Sequence, residues 1–245
     1  MAFRILFEGT VAKHVDSPED NEDAHRMAQD KGRVVLSDGA SESFDARSWA
    51  NLVVDQFLDT DPTDELLCSC IQAYGLLHDP STLSWSKAAA YERGSFATLV
   101  IAQDDPGRQT VTITALGDSL AVWSNGSNPP ESAPYSRADQ FTEKPTLLAT
   151  RQALNASVNA IETGPWSHRE WSYDQQEPCL LLCMTDALGA WLLQNQEQGD
   201  SSAFERLSRI SDQQEFLDLV EAERASGALR RDDTTLIVVA LTSST

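Results

Sequence analysis

The chain has little positive charge: 18 lysines and arginines stand against 38 aspartates and glutamates, a formal net charge of −20. Nucleic acids and anionic membranes are bound through positive footprints, so neither is expected as a partner. Long apolar runs are missing too, none approaching the ~20 residues that cross a bilayer. Met1-Ala2-Phe3-Arg4 lacks the basic-then-apolar layout of a secretory signal, and a cytoplasmic protein is expected. The four cysteines fall as Cys68-x-Cys70 and Cys179-x-x-x-Cys183, neither the spacing of a zinc knuckle, and they suit small core positions. The four histidines, His14, His25, His78 and His168, are scattered, and no serine or cysteine sits in a glycine-rich elbow. Triad and zinc hydrolase chemistry therefore lack their signatures.

What the chain does have is acid at the borders of apolar, strand-like runs. Val34-Val35-Leu36 leads into Asp38-Gly39, Val111 to Leu116 into Gly117-Asp118, Leu180 to Met184 into Asp186, and Asp232-Asp233 precedes Leu236 to Leu241. Strand ends can deliver carboxylates to one edge of a sheet. Like charges at close range raise one another's pKa, and a divalent cation reverses that penalty. The implied ligand is a hard cation held by oxygens.

Hydrophobic periodicity supplies the frame. Strands are expected over 3–13 and 24–36, followed by helices over Phe44 to Leu58 and Asp64 to Leu77, where apolar residues recur at helical spacing. Strands at about 95–103, 109–116 and 120–124 follow, the first two joined by the turn Asp104-Asp105-Pro106-Gly107, and short links favour antiparallel pairing. Residues 125–168 are irregular and proline-bearing, with a helix expected near Thr146 to Ala156; strands at 169–173 and 179–185, helices at 187–197 and 212–225 and a strand at 236–241 close the chain. The six tryptophans, Trp85 included, are expected to pack helices onto sheets. Two strand groups with amphipathic helices after each imply an α+β fold, an α-β-β-α sandwich of two mostly antiparallel sheets. With no linker-like stretch, residues 1–245 are expected to form one domain, with a surface insertion at about 125–168.

Six short motifs occur in order: Asn21-Glu22-Asp23-Ala24, Ser37-Asp38-Gly39-Ala40, Gly94-Ser95-Phe96-Ala97-Thr98, Leu116-Gly117-Asp118-Ser119, Thr185-Asp186-Ala187 and Asp232-Asp233-Thr234-Thr235. Singly each is ordinary turn punctuation. Together they resemble the metal-dependent serine/threonine protein phosphatases of type 2C, in a compact bacterial-like branch, over nearly the whole chain. The resemblance implies two Mg²⁺ or Mn²⁺ ions, with a further, weaker third position, activating a water for in-line attack on phosphorus. It implies that Asp38 bridges both ions, that Asp186 and Asp232 complete one site, and that Glu22 and the Gly39 carbonyl serve the other. Asp23 would orient the attacking water, and Asp118 would belong to the third position and to proton delivery. Two cations about 3.5–4 Å apart neutralise an anionic phosphate monoester and lower the pKa of the water between them. No covalent phosphoenzyme is then required.

Two positions depart from the family pattern. An arginine that binds the substrate phosphate usually precedes the Asn-Glu-Asp segment by three residues, and here that place is Pro18. Lys13, at the end of the first strand, is the candidate substitute, reaching the cleft as a point charge without arginine's fork, or else a solvated lysine. Ala187 replaces the usual glycine after the third acid. The expected function is hydrolysis of phosphoserine or phosphothreonine in a phosphoprotein substrate, with a cognate Ser/Thr kinase as an opposing partner. The alternative is a catalytically weak phosphatase-like module that binds a phosphorylated or regulatory partner. Of the adjacent Asp232 and Asp233, the first is read as ligand and the second as structural neighbour, with the opposite assignment left open.

Overall fold

A computed structural model describes residues 2–158, 164–173 and 179–242 of the chain. In order, the elements are β1 (Ala2–Val11), β2 (Ala24–Ala28), β3 (Arg33–Ser37), α1 (Ala46–Phe57), α2 (Asp64–Leu77), α3 (Trp85–Arg93), β4 (Phe96–Ala97), β5 (Leu99–Asp105), β6 (Thr110–Leu116), β7 (Leu120–Ser124), β8 (Glu131–Ala133), β9 (Leu148–Ala149), β10 (Ser167–Ser172), β11 (Cys179–Met184), α4 (Asp186–Glu197), α5 (Ser202–Ser208), α6 (Gln213–Ser226) and β12 (Thr234–Thr242). One sheet runs β1-β12-β11-β7-β8, the other β10-β6-β5-β3-β2, and β4 pairs with β9. Every pairing is antiparallel. This is the α+β sandwich that the strand grouping implies. Among the described residues no helix is long and apolar enough to cross a membrane.

Both faces of the central strands are buried, which explains why they read as continuous apolar runs. Along β12, Ile237, Val239 and Leu241 face the space between the sheets, whereas Leu236 and Val238 face α4, α5 and α6. Along β3, Val34 and Leu36 face inward and Val35 packs on α1. Trp123 and Trp171 stack in the inter-sheet core with planes 8° apart. In β1 the register to β12 shifts between Ile5 and Phe7. An extra residue inverts which face later side chains take, so Phe3 and Ile5 enter the inter-sheet core while Phe7 and Val11 pack under α6. Cys70, Cys179 and Cys183 are buried and Cys68 half-buried.

Four expectations change. The strand over 24–36 is two strands, because Gln29–Lys31 forms a 3₁₀ turn closed by Gly32 at φ +62°. No α-helix forms over 146–156: Leu148–Ala149 is strand β9, and only Gln152–Asn155 turns, as a short 3₁₀ helix. The buried Asn155 side chain instead accepts from the Ala149 amide at 2.9 Å and donates to its carbonyl at 2.8 Å, holding β9 extended. Trp85 starts α3 and is exposed, so it packs no helix onto a sheet. Helix α5 lies where no periodicity announced one. Residues 125–158 contribute β8, β9 and the buried Leu148 and Val158; residues 159–163 of the expected insertion lie outside the described residues.

Candidate active site

The acid-bearing strand ends meet on one edge of the sandwich, where a cavity of about 340 Å³ is lined by Asp38, Gly39, Asp118, Asp186 and Asp232 together with Lys13 and Lys144. Asp38 leaves the end of β3 and is clamped by Thr98. The Asp38 amide donates to Thr98 Oγ1 at 2.9 Å, the Thr98 amide donates to the Asp38 carbonyl at 2.8 Å, and Ser37 Oγ donates to the Thr98 carbonyl at 2.7 Å. Thr98 Oγ1 also lies 2.7 Å from Ser119 Oγ. One buried threonine thus registers the Ser-Asp-Gly segment against the Gly-Asp-Ser turn. That turn needs its glycine: Gly117 sits at φ +97°, and a Cβ there would stand 2.7 Å from Thr98 Cγ2. Gly39 is also confined, since a Cβ would lie 2.9 Å from the Ala46 Cβ and from the Glu22 carbonyl.

Asp23 sits behind the cavity. Its Oδ2 accepts from Thr235 Oγ1 at 2.7 Å and Thr185 Oγ1 at 3.1 Å, joining the third and fourth acid motifs, while its Oδ1 is buried without a hydrogen-bond partner. Glu22 faces an adjoining hollow that shares Lys13 and Ser41 with the main cavity. The neighbours Asp232 and Asp233 divide cleanly. Asp233 accepts from the Lys13 amide at 2.6 Å and from the Glu22 amide at 2.8 Å, one on each carboxylate oxygen. Asp232 lines the cavity, 3.6 Å from Lys13 Nζ and 3.3 Å from Arg230. Lys13 therefore reaches the cleft.

Three groups escaped the sequence reading. Arg230 pairs with Asp186 as well as Asp232. A pair of arginines before an acid pair in so acidic a chain was the available signal. Lys144 lines the cavity from an irregular segment that offers no periodicity. Arg224, its side chain buried, donates to the Ala12 carbonyl at 2.9 Å and to the Asp232 carbonyl, tying the exit of β1 to the entry of β12.

Burial and crowding shift the acids in one direction. The Asp38 carboxyl is pushed well above the usual range by burial and then by Asp23, Asp186, Asp118 and Asp232. Asp118 is raised to about 7, by burial first and Asp186 next. Asp23, Asp186 and Glu22 rise for the same leading reason. Among the described residues no donor reaches the Asp38 carboxylate, and no three acids, histidines or cysteines close on a point as a finished cage. An oxygen-only donor set, an orphaned Asp23 oxygen and carboxylates held against mutual repulsion fit divalent cations that keep much of their hydration. A larger hollow of about 570 Å³ near α5 has Glu205 and Arg209 on its wall, but these pair with each other at 3.0 Å.

No protein-family model matches the chain, and no curated protein matches it in sequence. Solved structures do match. A bacterial serine phosphatase superposes with a TM-score of 0.60 at 16% identity, covering 100% of this chain and 99% of that one. The Mycobacterium tuberculosis serine/threonine phosphatase PstP/Ppp gives 0.59 at 14% identity, with 100% of both chains covered. The chain has the type 2C phosphatase fold. PppA of Pseudomonas aeruginosa, described as a key regulatory component of T6SS, shares this fold with a TM-score of 0.57 at 19% identity over 98% of this chain and 99% of that one. In the phosphatase fold of this chain, Asp38, Asp118, Asp186 and Asp232 arrive at the cavity from four different strand ends.

Proposed function

We propose that the protein is a metal-dependent phosphatase that hydrolyses phosphoserine or phosphothreonine in proteins. The observation that carries this reading is Asp38, a half-buried carboxylate with no donor among the described residues, in a solvent-open cavity that Asp118, Asp186 and Asp232 also line, with Asp23 behind it. Asp38, Asp186, Asp232, Glu22 and the Gly39 carbonyl are assigned to hold two Mg²⁺ or Mn²⁺ ions, and Asp118 to a weaker third position. When bound, such ions supply positive charge against the phosphate dianion and lower the pKa of the attacking water. Asp23, anchored by Thr185 and Thr235 through one oxygen, presents the other to orient that water. Asp118, which lines the cavity, is assigned to proton delivery to the departing serine or threonine oxygen. Lys13 and Lys144 flank the cavity as point charges for the phosphate. The substrate is a phosphoprotein, with a Ser/Thr kinase as the opposing enzyme, and the acidic surface suits a cytoplasmic setting.

The test is hydrolysis of a small aryl phosphate and a phosphothreonine peptide with Mn²⁺, with chelator, and with Asp38→Asn. Mn²⁺-dependent turnover by the wild type is expected, falling by roughly two to three orders of magnitude in the variant, the scale for losing one preorganised electrostatic group. Saturable Mn²⁺ binding with no turnover would replace the enzyme by a binding module. Turnover that survives chelator would overturn the metal reading.

A further inference from the structure

Among the described residues Arg230 is the one arginine paired with carboxylates that line the cavity, and it holds two of them. Its guanidinium contacts Asp186 Oδ2 and lies 3.3 Å from Asp232 Oδ2. Under the reading above, which this inference rests on, Asp186 and Asp232 complete one cation site. A divalent ion held by these two carboxylates would stand close to the guanidinium that already occupies one oxygen of each, and two positive groups at close range repel. The competition is lopsided within the cavity, because among the described residues Asp38 and the orphaned oxygen of Asp23 have no direct ion pair, and Arg230 acts on Asp38 only at longer range. Arg230 is also accessible: its side chain is 53% exposed, and it lies in the segment between α6, which Gly227 closes, and β12. A guanidinium pushed off two carboxylates keeps its forked donors, which match two oxygens of a phosphate. Lys13 and Lys144 line the same cavity but offer only point charges.

We infer that Arg230 is an exchangeable counter-cation: it restrains divalent-ion binding at Asp186 and Asp232 and, once displaced, turns its fork to the phosphate of the substrate. Removing it has opposite effects on two ligands, which a merely structural residue does not produce. The experiment is calorimetric titration of Mn²⁺ into the full chain, then of inorganic phosphate into the Mn²⁺-saturated protein, for wild type, Arg230→Ala, Arg230→Lys and Arg231→Ala. Arg230→Ala is expected to bind Mn²⁺ tighter and phosphate more weakly, each by roughly two- to fivefold, the scale of a half-exposed ion pair. Arg230→Lys, which keeps the charge and loses the fork, should resemble wild type for Mn²⁺ and Arg230→Ala for phosphate. Arg231→Ala, an exposed neighbour with the same change in net charge, should match wild type on both. Unchanged or weaker Mn²⁺ binding by Arg230→Ala overturns the inference, as does an equal shift in Arg231→Ala. Failure of the wild type to bind Mn²⁺ removes the metal reading itself and this inference with it.

Discussion

Asp233 commits both carboxylate oxygens to backbone amides, those of Lys13 and Glu22, while its neighbour Asp232 faces the cavity. The two are chemically identical, so their substitutions should separate by kind of effect. Asp233→Asn loses charge-assisted bonds at a buried position and should cost about 1–3 kcal/mol of stability, read as a lower melting temperature. Asp232→Asn should leave the melt in chelator nearly unchanged and weaken Mn²⁺ binding. Equal melting shifts would show that the division is misplaced. At this scale the sequence was partly legible. Strand-end acids announce themselves because an apolar run ends in a charge, and the order of the six motifs lends each position weight. Arg230 and Lys144 were hidden because neither terminates a periodic segment; only the folded chain brings them to the acids.

Among the elements, the turn between β6 and β7 is where geometry is tightest. Gly117 has φ +97° and no space for a Cβ against Thr98. Gly117→Ala should destabilise by more than about 1 kcal/mol and, because Thr98 also clamps the Asp38 backbone, should lower turnover beyond what the melt explains. Full turnover in the folded fraction would detach Thr98 from the site. The strands were readable from composition because a four-layer sandwich buries both faces of its central sheets, leaving apolar runs such as Leu236 to Leu241. Less readable were elements set by side chain to backbone bonding. Asn155 holds Ala149 extended where apolar spacing suggested a helix, and Gly32 turns the chain inside what read as one long strand.

For the whole molecule, the cluster couples protonation to stability. Asp38, Asp23, Asp186 and Asp118 have folded pKa values above those of an unfolded chain, Asp118 reaching about 7. The folded state therefore holds more protons than the unfolded state between about pH 4 and 7, and stability falls as pH rises through that window. His25, lowered mainly by burial, acts in the opposite sense and loses stability as pH falls. Glu22 is raised as well, so five cluster acids stand against one histidine; melting temperature in chelator should decline from pH 5 to pH 7.5, and added Mn²⁺ should raise it most at the upper end. A chelator profile that climbs through the window would contradict this linkage. The surplus of acid that argues against a nucleic-acid partner at the level of composition is, at the cavity, what the proposed cations would neutralise. The most direct test of that central claim is a calorimetric titration of Mn²⁺ into the wild type and Asp38→Asn at pH 7.5. The account predicts saturable binding by the wild type and weakened binding by the variant; no saturable binding up to millimolar Mn²⁺, or equal binding by both, would contradict it.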